Sequence, residues 1–385
     1  MYNVTDIKNL TIGVLGGHSA LDVCHGAKKY GFKTLAVCQK GRDLTYSKYY
    51  KTRDGKGCID EVIMVDKFDD ILKPEIQKQL LDRNTIFIHN RYFWVYFKDF
   101  SKIENDFKVP IYGSRSLVKL EERDQPNNQY VLLEKAGIRT PKIIRRGDSG
   151  MKDEKLKKIL ENYFEGSGRP LLVKVNEAIR GYERAFFIVT KTNEFFETSE
   201  KMIKEGKITK KDLDNAVIEE FVIGAQVNFN FFYSPLTDEL ELLGTDTRRQ
   251  TSLDGFLRLN SVVQIKLLES GYTPTMIETG HIACTVKESI LEKAFAAGDK
   301  FVKTLKKEVP PGIIGPFALQ GAVSSEEGRE EIIIFDVSMR IPGSPGTVFT
   351  PYSRYLYGDS ISYGERIAME IKQAVSLNRL NEILT

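Results

Sequence analysis

The apolar pattern of this chain changes its period once, and that change limits the fold more than any other feature. From residue 11 to about 113, the short apolar runs TIGVLG, KTLAVC, EVIMVD, TIFIH and VPIYG alternate with longer amphipathic stretches such as 19–31 and 68–82. Strands that take turns with helices predict a parallel sheet covered on both faces. Residues 114–168 are mostly polar and read as helical, ending in the turn cluster EGSGRP. From there RPLLVKV, RAFFIVT, AVIEEFVIG, QVNFNFFYS, ELELLGTDTRRQT, GPFALQGAV and EEIIIFDVSMR follow a period of two. That alternation, with short connections, predicts an antiparallel sheet, flanked by helices at about 286–307 and 362–376. The fold class is therefore α/β followed by α+β. A length of 385 residues calls for two or three packed units.

Composition narrows the function classes. A chain with 41% hydrophobic and 28% charged residues folds as an ordinary globular protein. Its 56 basic and 53 acidic residues are interspersed, and a net charge of +3 lacks the one-sided basic face that nucleic acid requires. No apolar run reaches the length of a membrane span, and MYNVTDIKNL lacks a basic segment followed by an apolar one, so a cytoplasmic protein is expected. Cys24, Cys38, Cys58 and Cys284 have neither CxxC pairing nor zinc-like spacing and read as packing residues.

The first candidate site is the junction GVLGGHSALDV. Gly16 and Gly17 make the turn after the first strand and Ser19 caps the helix, whose free N–H groups attract an anion. A dinucleotide site would need an acidic residue at the end of the second strand. That strand ends in AVCQKGRD, with Gln39, Lys40 and Arg42 instead, which favours a phosphorylated ligand with His18 at its mouth. A plain tight turn with a capping serine is the competing reading.

The second candidate site lies on the later strands. Alternation in EEIIIFDVSMR places Ile332, Ile334, Asp336, Ser338 and Arg340 on one face, and Ile333, Phe335, Val337 and Met339 on the other. Gln320 in GPFALQGAV approaches Asp336 if the two strands pair, and oxygen donors on adjacent strands suit Mg²⁺. A structural ion pair between Asp336 and Arg340 is the alternative. Lys174, in the apolar strand LLVKV, calls for an anion, and the loop after it carries Arg180 and Arg184 around Gly181, as a nucleotide site would; a solvated strand edge is the alternative. IEEFVIG ends a strand with Glu219 and Glu220, followed by backbone groups suited to an adenine edge.

A strand lysine, a loop, the hinge EEFV and a late strand with a metal carboxylate resemble the ATP-grasp superfamily. HSALDVCHGAKKYGFKTLAV, AGIRTPKII, GPFALQG, FDVSMRIPGSPG and YGERIAMEIKQA resemble, over essentially the whole chain, the archaeal formate-dependent 5-formaminoimidazole-4-carboxamide ribonucleotide synthetases. The resemblance implies an ATP-grasp fold with an N-terminal parallel-sheet domain at 1–124, a small lobe at 125–240 and a large lobe at 241–385. It implies a homo-oligomeric ligase that joins formate to 5-aminoimidazole-4-carboxamide ribonucleotide (AICAR) with ATP and Mg²⁺ or Mn²⁺, through formyl phosphate. Carried over by position, it makes Lys174 and Arg340 catalytic, and His18, Ser19, Arg91, Tyr92 and His281 contacts to substrate. It gives ATP Lys174, Arg180, Glu219, Glu220, Phe221, Val222 and Gln250, and gives the metal Gln320, Asp336 and Ser338. Four departures lie near the site. Gln250 and Gln320 stand where the family pattern has glutamates, the phosphate loop has Gly181 alone, and HNRYFW replaces a serine region. They are compatible with two other readings, an ATP-grasp ligase for another carboxylate and amine, and a catalytically impaired nucleotide-binding paralogue.

Overall fold

The computed structural model describes residues 6–385 except 98, 124, 148, 176–184, 273 and 327. Among the described residues three sheets form. The first is parallel, with strands β1 (Thr11–Leu15), β2 (Lys33–Gln39), β3 (Glu61–Val65), β4 (Thr85–Ile88) and β5 (Ile111–Tyr112) in the order β3-β2-β1-β4-β5. Every residue of β1 and β4 is buried, as expected for strands covered on both faces. The expected helix at 68–82 is split: Lys73 precedes Pro74 and is extended, so a 3₁₀ turn (Phe68–Leu72) gives way to a separate helix (Pro74–Leu81).

The period-two region forms two sheets where one was expected. Strands β6 (Ile143–Arg145), β7 (Leu171–Val175), β8 (Ala185–Val189) and β9 (Val217–Glu220) make an antiparallel sheet in the order β6-β9-β7-β8. Strands β10 (Ala225–Ser234), β11 (Glu239–Gln250), β12 (Glu278–Ala283), β13 (Gly315–Glu326) and β14 (Arg329–Ser338) make a larger one in the order β12-β11-β10-β13-β14. β10, which falls inside the expected small lobe at 125–240, belongs to the larger sheet. Three-residue β6, inside a stretch read as helical, and the helices Thr192–Lys204 and Ser261–Glu269 were not expected.

One face of the large sheet packs Phe229, Phe231, Phe317, Leu319 and Ile334 against the long helix Glu288–Glu308. The other face packs Phe232 and Leu243 toward the Tyr363–Ser376 helix, and its polar part, with Asn228, Asn230 and Gln320, forms the candidate site. The C-terminal helix Tyr363–Ser376 ties this sheet to the N-terminal one. Its Arg366, over the ring of Phe232, reaches Glu241 with Nε and Nη2 and Glu370 with Nη1, each at 2.8–2.9 Å. It crosses the first helix (Ala20–Lys29) at two glycines: a Cβ on Gly26 would lie 2.1 Å from the Gly364 carbonyl carbon, and Gly364 N–H donates to Asp22 at 2.9 Å. Cys24, Cys38 and Cys58 are buried and Cys284 half-buried, all as free thiols. No helix among the described residues is long and apolar enough to cross a membrane.

Gly26→Ala is therefore expected to cost about 1–3 kcal/mol, since backbone has to move to admit the methyl group. Gly166→Ala, in the helix Asp153–Ser167 with open space around it, should instead gain about 0.5–1 kcal/mol. Urea midpoints of the two variants check the pair; equal midpoints would refute the close-crossing argument.

Candidate functional site

Position Gln320 pairs directly with Asp336, but the register then jumps to Gly321 opposite Ile334, leaving Phe335 as an extra residue in β14. The bulge corrects the expected faces. Ile332 and Ile334 join Val337 and Met339 in the apolar core, while Asp336 and Ser338 turn to the polar side with Gln320. Among the described residues the expected alternative pair does not form: Arg340 reaches Glu121 at 3.3 Å, and Asp336 reaches Arg123 at 3.4 Å.

The carbonyl of the bulged Phe335 accepts a hydrogen bond from Lys174 Nζ at 3.0 Å. Lys174 is 3% exposed, lies 2.6 Å from Glu219 Oε1, and donates to Tyr130 Oη at 3.0 Å, which itself donates to Glu219 at 2.7 Å. Burial pulls the lysine pKa down, and Glu219 opposes that pull. Glu219 thus serves as counter-ion to Lys174, whereas Glu220, one residue on, faces Arg169 at 2.6 Å. In the expected hinge, Glu220 N–H donates to Lys142 and Phe221 N–H to Pro170, both at 2.9 Å. Val222, which follows, is half-buried. Arg180 lies outside the described residues, as do Gly181 and Arg184.

Across the sheet the polar face continues into β11 and β12. Asp246 accepts from Asn228 (2.7 Å), Asn230 (2.5 Å) and Ser344 (2.6 Å), and lies 2.5 Å from His281 Nδ1. The other ring nitrogen of His281 is 3.0 Å from Glu278 Oε1. Burial alone would push the imidazole down, but the two carboxylates bring its pKa up to about 9. Burial likewise disfavours the Glu278 carboxylate, yet His281, Arg248 and Arg91 pull it down to about 2. Arg248, facing His281 across the strand pair, has Nε 3.2 Å from Glu278 Oε2 and donates from Nη2 to Gln320 Oε1. Gln250 sits at the end of β11 opposite Glu278 and, among the described residues, shares no hydrogen bond with Lys174 or the hinge.

The N-terminal junction meets the segment that follows β14. Ser19 takes the N-cap position but makes no capping hydrogen bond; its hydroxyl donates to the Pro342 carbonyl at 2.7 Å and lies 2.8 Å from His18 Nδ1. His18, in left-handed backbone at φ 50°, lies against Gly343, where a Cβ would come within 2.8 Å of Nε2. Burial, with Arg340 and Arg91 beside it, holds this imidazole neutral. Gly17 is roofed by the Tyr92 ring, 2.0 Å from where its Cβ would be, and Asn90 Nδ2 holds the turn by donating to the Leu15 and Gly17 carbonyls at 3.1 and 3.2 Å. Arg42 does not reach the turn: it donates to Tyr96 and Tyr92 at 2.7 and 3.3 Å. Arg91 has Arg340, Arg248, Glu121 and Glu278 as charged neighbours, and burial with the two arginines lowers its pKa.

The structure thus brings Arg91, Arg340, His18 and His281 around one polar sheet face, with Lys174 and Asp336 at its β14 edge, a setting that attracts anions. Ser338 accepts from Gln320 Nε2 at 2.9 Å and the Gln320 oxygen faces Arg248, so Asp336 is the single carboxylate of the three residues expected to hold a metal. No group of three His, Cys, Asp or Glu able to hold a metal exists among the described residues. Asp336 could offer one carboxylate to a divalent ion, and the three residues do not form a closed cage. Glu121, Arg123, Tyr130, Asp246, Arg248 and Glu278 escaped the sequence reading. Asp246 and Arg248 carried the same signal as Asp336, namely polar and charged groups at alternate positions of a strand; Glu121 and Arg123 lie in a polar stretch without periodicity.

Two family models match the chain, one described as a protein of unknown function (DUF1246) over residues 12–144 and one as a domain of unknown function (DUF1297) over 194–385. A 5-formaminoimidazole-4-carboxamide-1-(beta)-D-ribofuranosyl 5'-monophosphate synthetase of Methanocaldococcus jannaschii is 36% identical over 386 residues, covering 100% of this chain and 96% of that one. A protein of the same description from Methanothermobacter thermautotrophicus is 36% identical over 98% of this chain and 95% of its own. Among solved structures, the IMP biosynthesis protein PurP of Thermococcus kodakaraensis superposes with a TM-score of 0.67 at 25% identity, covering 97% of this chain and 100% of that one. N5-carboxyaminoimidazole synthetase of Staphylococcus aureus superposes at 0.56 with 14% identity, over 92% and 78% of the two chains, and shares the ATP-grasp fold.

Below pH 6.5 the doubly paired His281 contributes its full stabilisation, because its folded pKa is raised above the ordinary value; the contribution disappears as pH rises through about 9. His281→Asn is expected to be less stable than the parent at pH 6, and the gap should narrow by pH 10. Urea denaturation across that range measures it. A gap independent of pH would remove the ion pairs with Asp246 and Glu278 from the account.

Proposed function

Because the chain belongs to the family of 5-formaminoimidazole-4-carboxamide ribonucleotide synthetases, we propose that it formylates the amino group of AICAR with formate and ATP, releasing ADP and phosphate. The chain is an ATP-grasp ligase of purine biosynthesis. The observation that carries the finer reading is Lys174, buried against the β14 bulge one residue from Asp336, at the edge of a sheet face that gathers Arg91, Arg248 and Arg340.

In this reading a formate oxygen attacks the γ-phosphorus of ATP, ADP leaves, and formyl phosphate forms. The AICAR amine then attacks the formyl carbon, phosphate departs, the amine nitrogen loses a proton and the formamide remains. Phosphoryl transfer of this kind needs positioning and charge neutralisation more than covalent help. Lys174 would exchange Glu219 for a nucleotide phosphate. Glu219 to Val222 would border the adenine, with Val222 supplying a backbone donor, since Glu220 and Phe221 spend theirs within the protein. Arg340, fixed by Glu121, would hold charge developing on the transferred group. Arg91, Tyr92 and Ser19 would line the acceptor, and His18, being neutral, would contact it through a hydrogen bond and not through charge. Asp336 would hold the Mg²⁺ or Mn²⁺ that arrives with ATP and neutralises its phosphates. Gln250, at the far end of β11, is proposed as an outer contact to nucleotide.

We assign 1–124 to the acceptor side, and the two antiparallel sheets to the two lobes around ATP. Cytoplasmic work as a homo-oligomer completes the proposal; the apolar side chains of Ser261–Glu269, with Val262, Ile265 and Leu268 more than half exposed, support the oligomer.

Phosphate release from ATP should require formate and AICAR together. Release that depends on other partners would favour a ligase of different substrates, and tight nucleotide binding without release an impaired paralogue. Lys174→Met is expected to lower kcat by about 100-fold or more, and Asp336→Asn to abolish turnover with an unchanged circular dichroism spectrum. Unchanged turnover in Asp336→Asn would overturn the metal assignment.

A further inference from the structure

An unbroken series of polar contacts crosses the large sheet from β12 to β14. Asp246 holds His281, His281 holds Glu278, Glu278 pairs with Arg248, Arg248 donates to Gln320 and Gln320 donates to Ser338. The direction of each step is fixed by chemistry. A guanidinium has no acceptor, so the Gln320 atom facing Arg248 is the oxygen, and the amide nitrogen is left to meet the Ser338 hydroxyl at 2.9 Å.

A divalent ion lodged between Gln320 and Ser338 would have to expel a guanidinium from the amide oxygen. It would find there an amide and a hydroxyl, with Asp336 the single carboxylate beside them to offset its dehydration. Arg248 is not available for expulsion at small cost, because its Nε faces Glu278 at 3.2 Å and Glu278 is itself held by His281. Asp336, directly across the strand pair from Gln320, is the carboxylate that remains, with Arg123 at 3.4 Å. Phosphoryl-transfer sites commonly clamp the transferring group between two cations. On this sheet one of the two positions is already filled, by a side chain.

We infer that Arg248 takes the place of a second divalent ion, so that the protein binds its nucleotide with a single metal, at Asp336. The inference rests on the ATP-dependent ligase reading above. Gln320 is then a positioning residue: its neutral amide can accept from the guanidinium and donate to Ser338 at once, which a carboxylate could not do. His281 and Glu278 act one step further out by holding the guanidinium in register.

Equilibrium dialysis with Mn²⁺ and a non-hydrolysable ATP analogue, with bound Mn²⁺ counted by electron paramagnetic resonance, tests this without turnover. The expected count is one Mn²⁺ per bound analogue in the wild-type protein and two in the Arg248→Met/Gln320→Glu double variant, where the guanidinium is gone and a carboxylate restored. Two Mn²⁺ in the wild type would overturn the inference while leaving the nucleotide reading intact, and so would a double variant that stays at one. An analogue that fails to bind the wild-type protein would overturn the nucleotide reading, and this inference with it. The wild-type count decides the matter even if the double variant does not fold.

Discussion

One extra residue in β14 organises the rest of the site. Without Phe335 as a bulge, strict alternation would place Asp336 and Ser338 on the face of Ile332 and Ile334, inside the apolar core. A buried carboxylate there would face Phe317 and Leu319 with no partner, at a cost no neighbouring contact offsets. The bulge turns the strand by one position, so the same ten residues supply core at one end and polar groups at the other. It also frees a carbonyl, that of Phe335, and aims it at Lys174 in the small sheet. The junction between the two antiparallel sheets and the placement of the acidic residue therefore share a single cause.

The electrostatics of the polar face follow from that placement. Burial, with Arg340 and Arg248 nearby, lowers the pKa of Arg91. Glu121 and Glu278 offset part of this charge, one held by Arg340 and the other by Arg248 and His281. A face with fixed cations and locked carboxylates is preorganised for an anion, because few dipoles have to rearrange when one arrives.

Period alone was enough to read most strands, since TIGVLG, KTLAVC, EVIMVD and TIFIH each appear as a strand of the parallel sheet. It failed where a local rule was overridden. Pro74 cut a helix, β6 was too short to show a period, and the bulge at 335 reversed the faces of half a strand. Site residues followed the same division. Lys174, Asp336 and Gln320 stood out because charged or amide groups in apolar strands demand a partner, and the pairing of Gln320 with Asp336 appears in the register. Glu121, Arg123 and Tyr130 reach the site from loops and a short helix across more than 200 residues to β14, a proximity no local spacing encodes. The glycine pair at 16–17 illustrates the limit most clearly. Its small size admits Cys38 beside Gly16 and Tyr92 over Gly17, so the turn is shaped by side-chain packing as much as by any ligand.

Residues 383–385 carry a consequence for the order of folding. Thr385 exchanges backbone hydrogen bonds with Ile111 at 2.9 and 3.0 Å, its carbonyl accepts from Arg115 at 2.6 Å, and Ile383 receives the Gly113 N–H at 3.1 Å. The C-terminal helix, meanwhile, seats on the first helix through Gly26 and Gly364. The parallel sheet precedes both antiparallel sheets in sequence, yet its β5 margin and one helical flank are supplied from beyond them. That sheet therefore closes only through contacts 270 positions apart, and its apolar flank stays open until the two antiparallel sheets have been made.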